Sequence, residues 1–128
     1  MNDLAKQWLQ KAESDLLCAE NNLNSEQIPV DTVCYHCAQA VEKYLKAFLV
    51  IREIQFPWIH NLLRLLELYK KADESFEQLR EQLLILNTFS GEIRYPDEWF
   101  EPTIEEAKEA LKTAKNIKKF ISEKIEVE

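Results

Sequence analysis

Glycine occurs once in this sequence, proline four times and cysteine three times. One glycine leaves no room for a phosphate-cradling loop of the P-loop or dinucleotide-binding kind, which needs several. So little glycine and proline also excludes a loop-rich, collagen-like or disordered chain. Three cysteines cannot all pair within one chain, so no disulfide framework is expected, and a reducing cytoplasm is the expected setting. No apolar run approaches the roughly 18 residues of a membrane span, and Met1-Asn2-Asp3 begins no secretion signal, so no membrane role is expected. Positive charge is in deficit as well: 23 acidic against 16 basic residues give a net charge of −7. Duplex DNA is therefore not an expected partner, because phosphate contacts need clustered Lys and Arg.

What the chain has in plenty is apolar residues at helical spacing. Its 128 residues are 46% hydrophobic and 30% charged. That is one domain, residues 1–128, able to bury a core covering roughly two-thirds of its unfolded surface. Leu4, Trp8, Ala12, Leu16, Ala19 and Leu23 recur every three or four residues and predict a first helix, broken at Asn24-Ser25. Pro29 opens a second, where its missing N–H is harmless and Asp31 suits the positive end of the dipole. Between Val33 and Ile51 the apolar positions are too many for one stripe, so this helix is read as central to a bundle or as meeting a partner subunit. After a short joint around Pro57, Leu62, Leu63, Leu65, Leu66 and Tyr69 mark a third helix ending near Lys70-Lys71. Ser75 with Gln78 has capping-box spacing for a fourth helix, stopped at Gly91. Thr103 with Glu106 has it again for a fifth, lined by Ala107, Leu111, Ala114, Ile117, Ile121 and Ile125. The expectation is an all-α, up-and-down antiparallel bundle of about five helices.

Few residues offer chemistry. Cys34-Tyr35-His36-Cys37 contains a Cys-x-x-Cys, but it lacks the strand-then-helix setting of a redox dithiol. No second ligand pair follows at zinc-finger spacing either. The thiols are best read as small apolar groups packed in a central helix, and no metal or cofactor site is expected. The only histidines are His36 and His60, the latter beside Asn61 at a helix start, where it suits a cap, a buried hydrogen-bonding group or a base. Glu42, Lys43 and Lys46 follow one another along a helix face and read, alone, as solvated charges. Arg94-Tyr95-Pro96-Asp97 lies in an aromatic stretch with Trp99 and Phe100, where a planar guanidinium fits a phosphate or a partner's carboxylate, or caps the preceding helix. Trp58, Trp99 and Phe100 add apolar surface that a five-helix monomer need not hide, which points to a dimer.

The run from Tyr35 to Leu49, Tyr-His-Cys-Ala-Gln-Ala-Val-Glu-Lys-Tyr-Leu-Lys-Ala-Phe-Leu, resembles the signature helix of HEPN domains (higher eukaryotes and prokaryotes nucleotide-binding). Trp8 with Asp15-Leu16, Pro57 to His60-Asn61-Leu62, and Arg94-Tyr95-Pro96-Asp97 fit that family in order and distance. The resemblance implies a compact helical bundle, commonly a homodimer, partnered by a minimal nucleotidyltransferase encoded next to it in a toxin–antitoxin-like pair. It implies a nucleotide- or partner-binding set drawn from Arg94, Tyr95, Asp97, Trp99, His36 and Lys43, with a nucleotide or RNA as the small partner. It also implies an alternative, the metal-independent ribonuclease carrying Arg-x4–6-His, with Arg94 and His60 as catalytic candidates. The positions that motif assigns to histidine hold Trp99, Phe100 and Glu101 here. A non-catalytic dimeric scaffold is the remaining reading.

Overall fold

The computed structural model describes residues 2–90 and 101–126. Among them are five α-helices: α1 (Asp3–Leu23), α2 (Val30–Ile51), α3 (Leu62–Ala72), α4 (Arg80–Asn87) and α5 (Ile104–Glu126). A 3-10 segment, Glu74–Leu79, runs into α4, and the described residues include no strand. The all-α bundle expected from the periodicity is the fold observed. No helix among the described residues is long and apolar enough to cross a membrane.

α1 starts where the Asn2 side chain accepts the Ala5 N–H at 2.7 Å, and it buries Ala5, Ala12, Leu16 and Ala19. α2 begins at Val30 with Pro29 as its N-cap, one position ahead of the first helical turn. Fifteen of the 22 residues of α2 are buried, which makes it the central helix. α1 lies antiparallel along it: Asp15 meets His36 and Lys43, whereas Trp8, nearer the start of α1, meets Lys46 and Phe56. α5 returns antiparallel to α1, with Lys115 on Glu20 at 2.7 Å and Lys118 on Glu13 at 2.9 Å. Phe48, Tyr69, Phe76 and Phe120 stack into one aromatic cluster, the Phe48 and Phe76 rings 4.7 Å apart.

The helix ends explain where the connections run. α2 stops because Glu53 turns left-handed, φ 57°, letting the Ile54 N–H reach back to the Leu49 carbonyl at 2.9 Å. α3 is capped by Asn61, whose side-chain oxygen accepts from the Leu63 and Arg64 N–H groups, so His60 is not the cap. The capping box expected at Ser75 and Gln78 does not form. Asp73, two residues earlier, takes the cap, and Gln78 Nε2 instead donates to the Ser75 carbonyl. The following turn is 3-10, so α4 opens only at Arg80 and closes at Asn87. Gly91, expected as its stop, lies outside the described residues. At α5 the expected box is present in both directions: Glu106 N–H to Thr103 Oγ1 at 3.0 Å and Thr103 N–H to Glu106 Oε1 at 3.1 Å.

Candidate functional site

α2 carries an unusual combination for a central helix. His36, Glu42, Lys43 and Lys46 recur at near-helical steps, so they share one arc of a cylinder that is otherwise apolar. α1 and the connection from α2 to α3 close over that arc, and each brings one member of a charged cluster. From α1 comes Asp15, whose Oδ1 accepts from His36 Nδ1 at 2.8 Å while Oδ2 binds the Lys43 ammonium. From the connection comes His60, whose Nδ1 lies 3.0 Å from Glu42 Oε2, the same oxygen that holds Lys46 Nζ at 2.9 Å. The two clusters repeat one design: a carboxylate engaged by both a histidine and a lysine.

Burial differs between the members in a consistent way. Glu42 and Lys46 are 2% exposed as side chains, so the reading of these two as solvated surface charges is wrong. Lys46 is further shielded by aromatic rings, its Nζ lying 5.3 Å from the Trp8 centroid and 5.8 Å from that of Phe56. The groups that remain reachable are His36 at 26%, Lys43 at 22% and His60 at 42%. Packed charge is thus set behind accessible imidazole and ammonium. A buried ion pair is weakly stabilising at best, because desolvation offsets most of the attraction. Its persistence in the middle of an apolar helix calls for another use, and holding His60 is one.

The geometry also fixes tautomers. A carboxylate oxygen accepts hydrogen bonds, so each histidine donates to its carboxylate through Nδ1. Tyr69 closes the inner side. Its phenol is fully buried, has no hydrogen-bond partner among the described residues, and is raised well above its ordinary pKa by burial and then by Glu42.

Of the candidates named from the sequence, His36 and Lys43 come together on Asp15, while His60 stands on the separate Glu42 carboxylate. Arg94, Tyr95, Asp97 and Trp99 lie outside the described residues, as does Phe100. Asp15, Glu42, Lys46, Trp8 and Phe56 were not singled out as site residues. The available signal was a polar residue recurring every three or four positions inside the most apolar helix of the chain. The thiols of Cys34 and Cys37 are buried, and that burial pushes each up to about 12, which removes them as nucleophiles or metal ligands at neutral pH. Among the described residues, no three His, Cys, Asp or Glu side chains converge on a metal position.

The class of protein is an all-α helical bundle. The HEPN domain family model matches residues 5–125, and the chain belongs to that family. It is 33% identical to the "Putative toxin MJ1304" of Methanocaldococcus jannaschii over 94% of this chain and 90% of that protein. Among solved structures it is similar to TT1696 from Thermus thermophilus, with TM-score 0.77, 31% identity and coverage of 96% of this chain and 99% of the other. It is also similar to ST0689, an archaeal HEPN homologue, with TM-score 0.75 and 22% identity over 94% and 97% of the two chains; at that identity the likeness is one of fold.

Proposed function

We propose that this HEPN-domain chain is the cytoplasmic toxin-side member of a two-gene toxin–antitoxin-like pair, a homodimer that binds a nucleotide through its phosphate and docks a small nucleotidyltransferase. The observation that carries the reading is the α2 arc, where Lys43, His36 and His60 are accessible and each is held by a carboxylate anchored in the fold. Phosphate recognition asks for one or two positioned cations, and pre-orientation of those side chains lowers the entropy cost of binding. Similarity to a protein named as a toxin, over nearly the whole of both chains, supports the toxin assignment. The family resemblance assigns the Arg94 guanidinium to the same binding set.

Calorimetric titration with ATP and AMP tests the proposal. The wild type binds at micromolar concentration, and Lys43→Ala or Arg94→Ala weakens binding about tenfold, the loss of one charge-assisted contact. A wild-type protein that binds neither nucleotide overturns the nucleotide half. Co-expression with the adjacent gene product checks the partner, and sedimentation at tens of micromolar checks the dimer.

One observation favours a second reading. A histidine oriented through Nδ1 by a carboxylate is the arrangement of a general base, and both Asp15–His36 and Glu42–His60 have it. If the chain is a metal-independent ribonuclease, RNA cleavage in chelator falls at least about a hundredfold in His60→Ala or His36→Ala. Equal cleavage by both variants and the wild type removes that reading.

A further inference from the structure

α1 and α5 leave an open groove of about 660 Å³ between them. Leu16 and Leu17 lie on its α1 wall, and Leu17 is 57% exposed there. Lys119 and Ser122 lie on its α5 wall. The ion pairs Lys115–Glu20 and Lys118–Glu13 join the two walls, so both glutamates of the groove are already neutralised. Lys119 makes no such pair among the described residues, and neither do Lys108 and Lys112. Lys108, Lys112, Lys115 and Lys119 follow one another at steps of four, three and four residues, and all are exposed. At about 100° per residue these steps keep them within an arc of about 60°, a row roughly 16 Å long beside the groove. Glu105, Glu109 and Glu123 fall on the far side of that row from the groove. In a chain of net charge −7, three unpaired ammonium groups in one row beside an apolar wall form a distinct surface.

We infer that the α1–α5 groove docks an acidic amphipathic helix of the partner protein, its apolar side chains resting on Leu17 and its carboxylates meeting the lysine row. The lysines repeat at the helical period, so a second helix laid along the groove presents carboxylates in matching register. Apolar residues three and four positions apart on its inner edge then reach the Leu17 wall. Opposite charge along the rim fixes the orientation of docking, and the apolar contact holds it. A nucleic-acid strand fits less well, because its phosphates continue past the row and run into the glutamates. A second copy set face to face about a twofold axis would bring lysine row onto lysine row. The inference rests on the partner half of the reading above and deepens it, since it gives that partner a docking element and this chain the face that receives it.

The purified product of the adjacent gene, titrated by calorimetry into four forms of this chain, tests the docking face. The forms are the wild type, the double variant Lys112→Glu with Lys119→Glu, Leu17→Ser, and Arg64→Glu, a charge reversal at an exposed position of α3. All the substituted side chains are exposed, so the variants keep the wild-type melting temperature. The double variant binds at least about tenfold more weakly and Leu17→Ser about fivefold, whereas Arg64→Glu stays within about twofold of the wild type. Added salt weakens binding by the wild type more than by the double variant. Unchanged affinity in the double variant or in Leu17→Ser overturns the inference and leaves the partner reading standing. Arg64→Glu weakening binding as much as the double variant overturns it too, because net charge and not this face would then set the affinity. Failure of the wild type to bind the adjacent gene product overturns the partner reading, and this inference with it. Oligouridine that binds the wild type but not the double variant, with the partner's affinity unchanged, gives the row to nucleic acid. Loss of self-association in the double variant, read by sedimentation, gives the groove to a second copy. Either result removes the acidic helix as occupant.

Discussion

At the scale of single residues, the decisive feature is a carboxylate with two duties. Glu42 neutralises a buried lysine and orients a half-exposed histidine, and the two duties can be separated by mutation. Lys46→Met fills a similar volume but leaves Glu42 buried without its ammonium. Removing one partner of such a pair costs about 3–5 kcal/mol, a large part of what a domain of this size has. Replacing both, Lys46→Met with Glu42→Leu, removes the stranded charge and restores most of the stability, since an apolar pair of similar volume is often as good. The double variant therefore melts near the wild type, yet it binds AMP at least about tenfold more weakly because His60 has lost its anchor. Full binding by the folded double variant would show that Glu42 serves packing alone. None of this was legible at Glu42 and Lys46 taken one at a time. Four residues apart on a helix, they have the spacing of an ordinary surface pair, and only the density of Ala, Val and Leu around them argues for burial.

At the scale of elements, periodicity was a good guide to where helices lie and a poorer one to how they begin. The Thr103–Glu106 box formed as its spacing predicts, each side chain accepting the other residue's backbone N–H. At Ser75 the same spacing failed because Asp73 is the stronger acceptor and takes both the Ser75 N–H at 3.0 Å and its hydroxyl at 2.6 Å. Asp73 also binds Lys124 near the end of α5 at 2.9 Å, so one carboxylate ties the α3–α4 corner to the last helix. The Ser75 hydroxyl and then Lys124 hold its carboxyl down from 3.8 to about 2. A pKa lowered by folding gives stability that is present above the unfolded value and is lost as pH falls through the folded one. The Asp73 contribution is accordingly whole above about pH 4 and gone below about pH 2. Glu77, held down to about 2 by Arg80 and then Lys70, fades over a similar range. Thermal melts of wild type and Asp73→Asn at intervals from pH 6 to pH 2 give curves that are separated at the upper end and converge at the lower. Parallel curves would mean that the corner is not held by charge.

At the scale of the whole molecule, α2 is the axis on which everything else is hung, and the buried face that makes it central also makes it a reporter. The excess of apolar positions between Val33 and Ile51 was legible as burial on several sides; which helices do the covering was not, because contacts such as Asp15 with His36 join residues far apart in sequence. Cys34 and Cys37 lie wholly inside that covering, whereas Cys18 on α1 is part-exposed and accepts a hydrogen bond from Asn22 at 3.3 Å. A thiol reagent in excess at neutral pH therefore titrates Cys18 in the native protein and leaves the other two. Each of those is both inaccessible and pushed up to about 12 by burial, so it reacts only when the bundle opens. Both thiols are fully buried in α2, the helix at the centre of the bundle, so Cys34 and Cys37 are expected to share one opening event. Their labelling rates should be equal, at least about a thousandfold slower than in urea, and governed by the same free energy as denaturant unfolding. Cys34 or Cys37 labelling as fast as Cys18 under native conditions would mean that α2 is not sealed, and the buried Glu42–Lys46 support of the site would go with it.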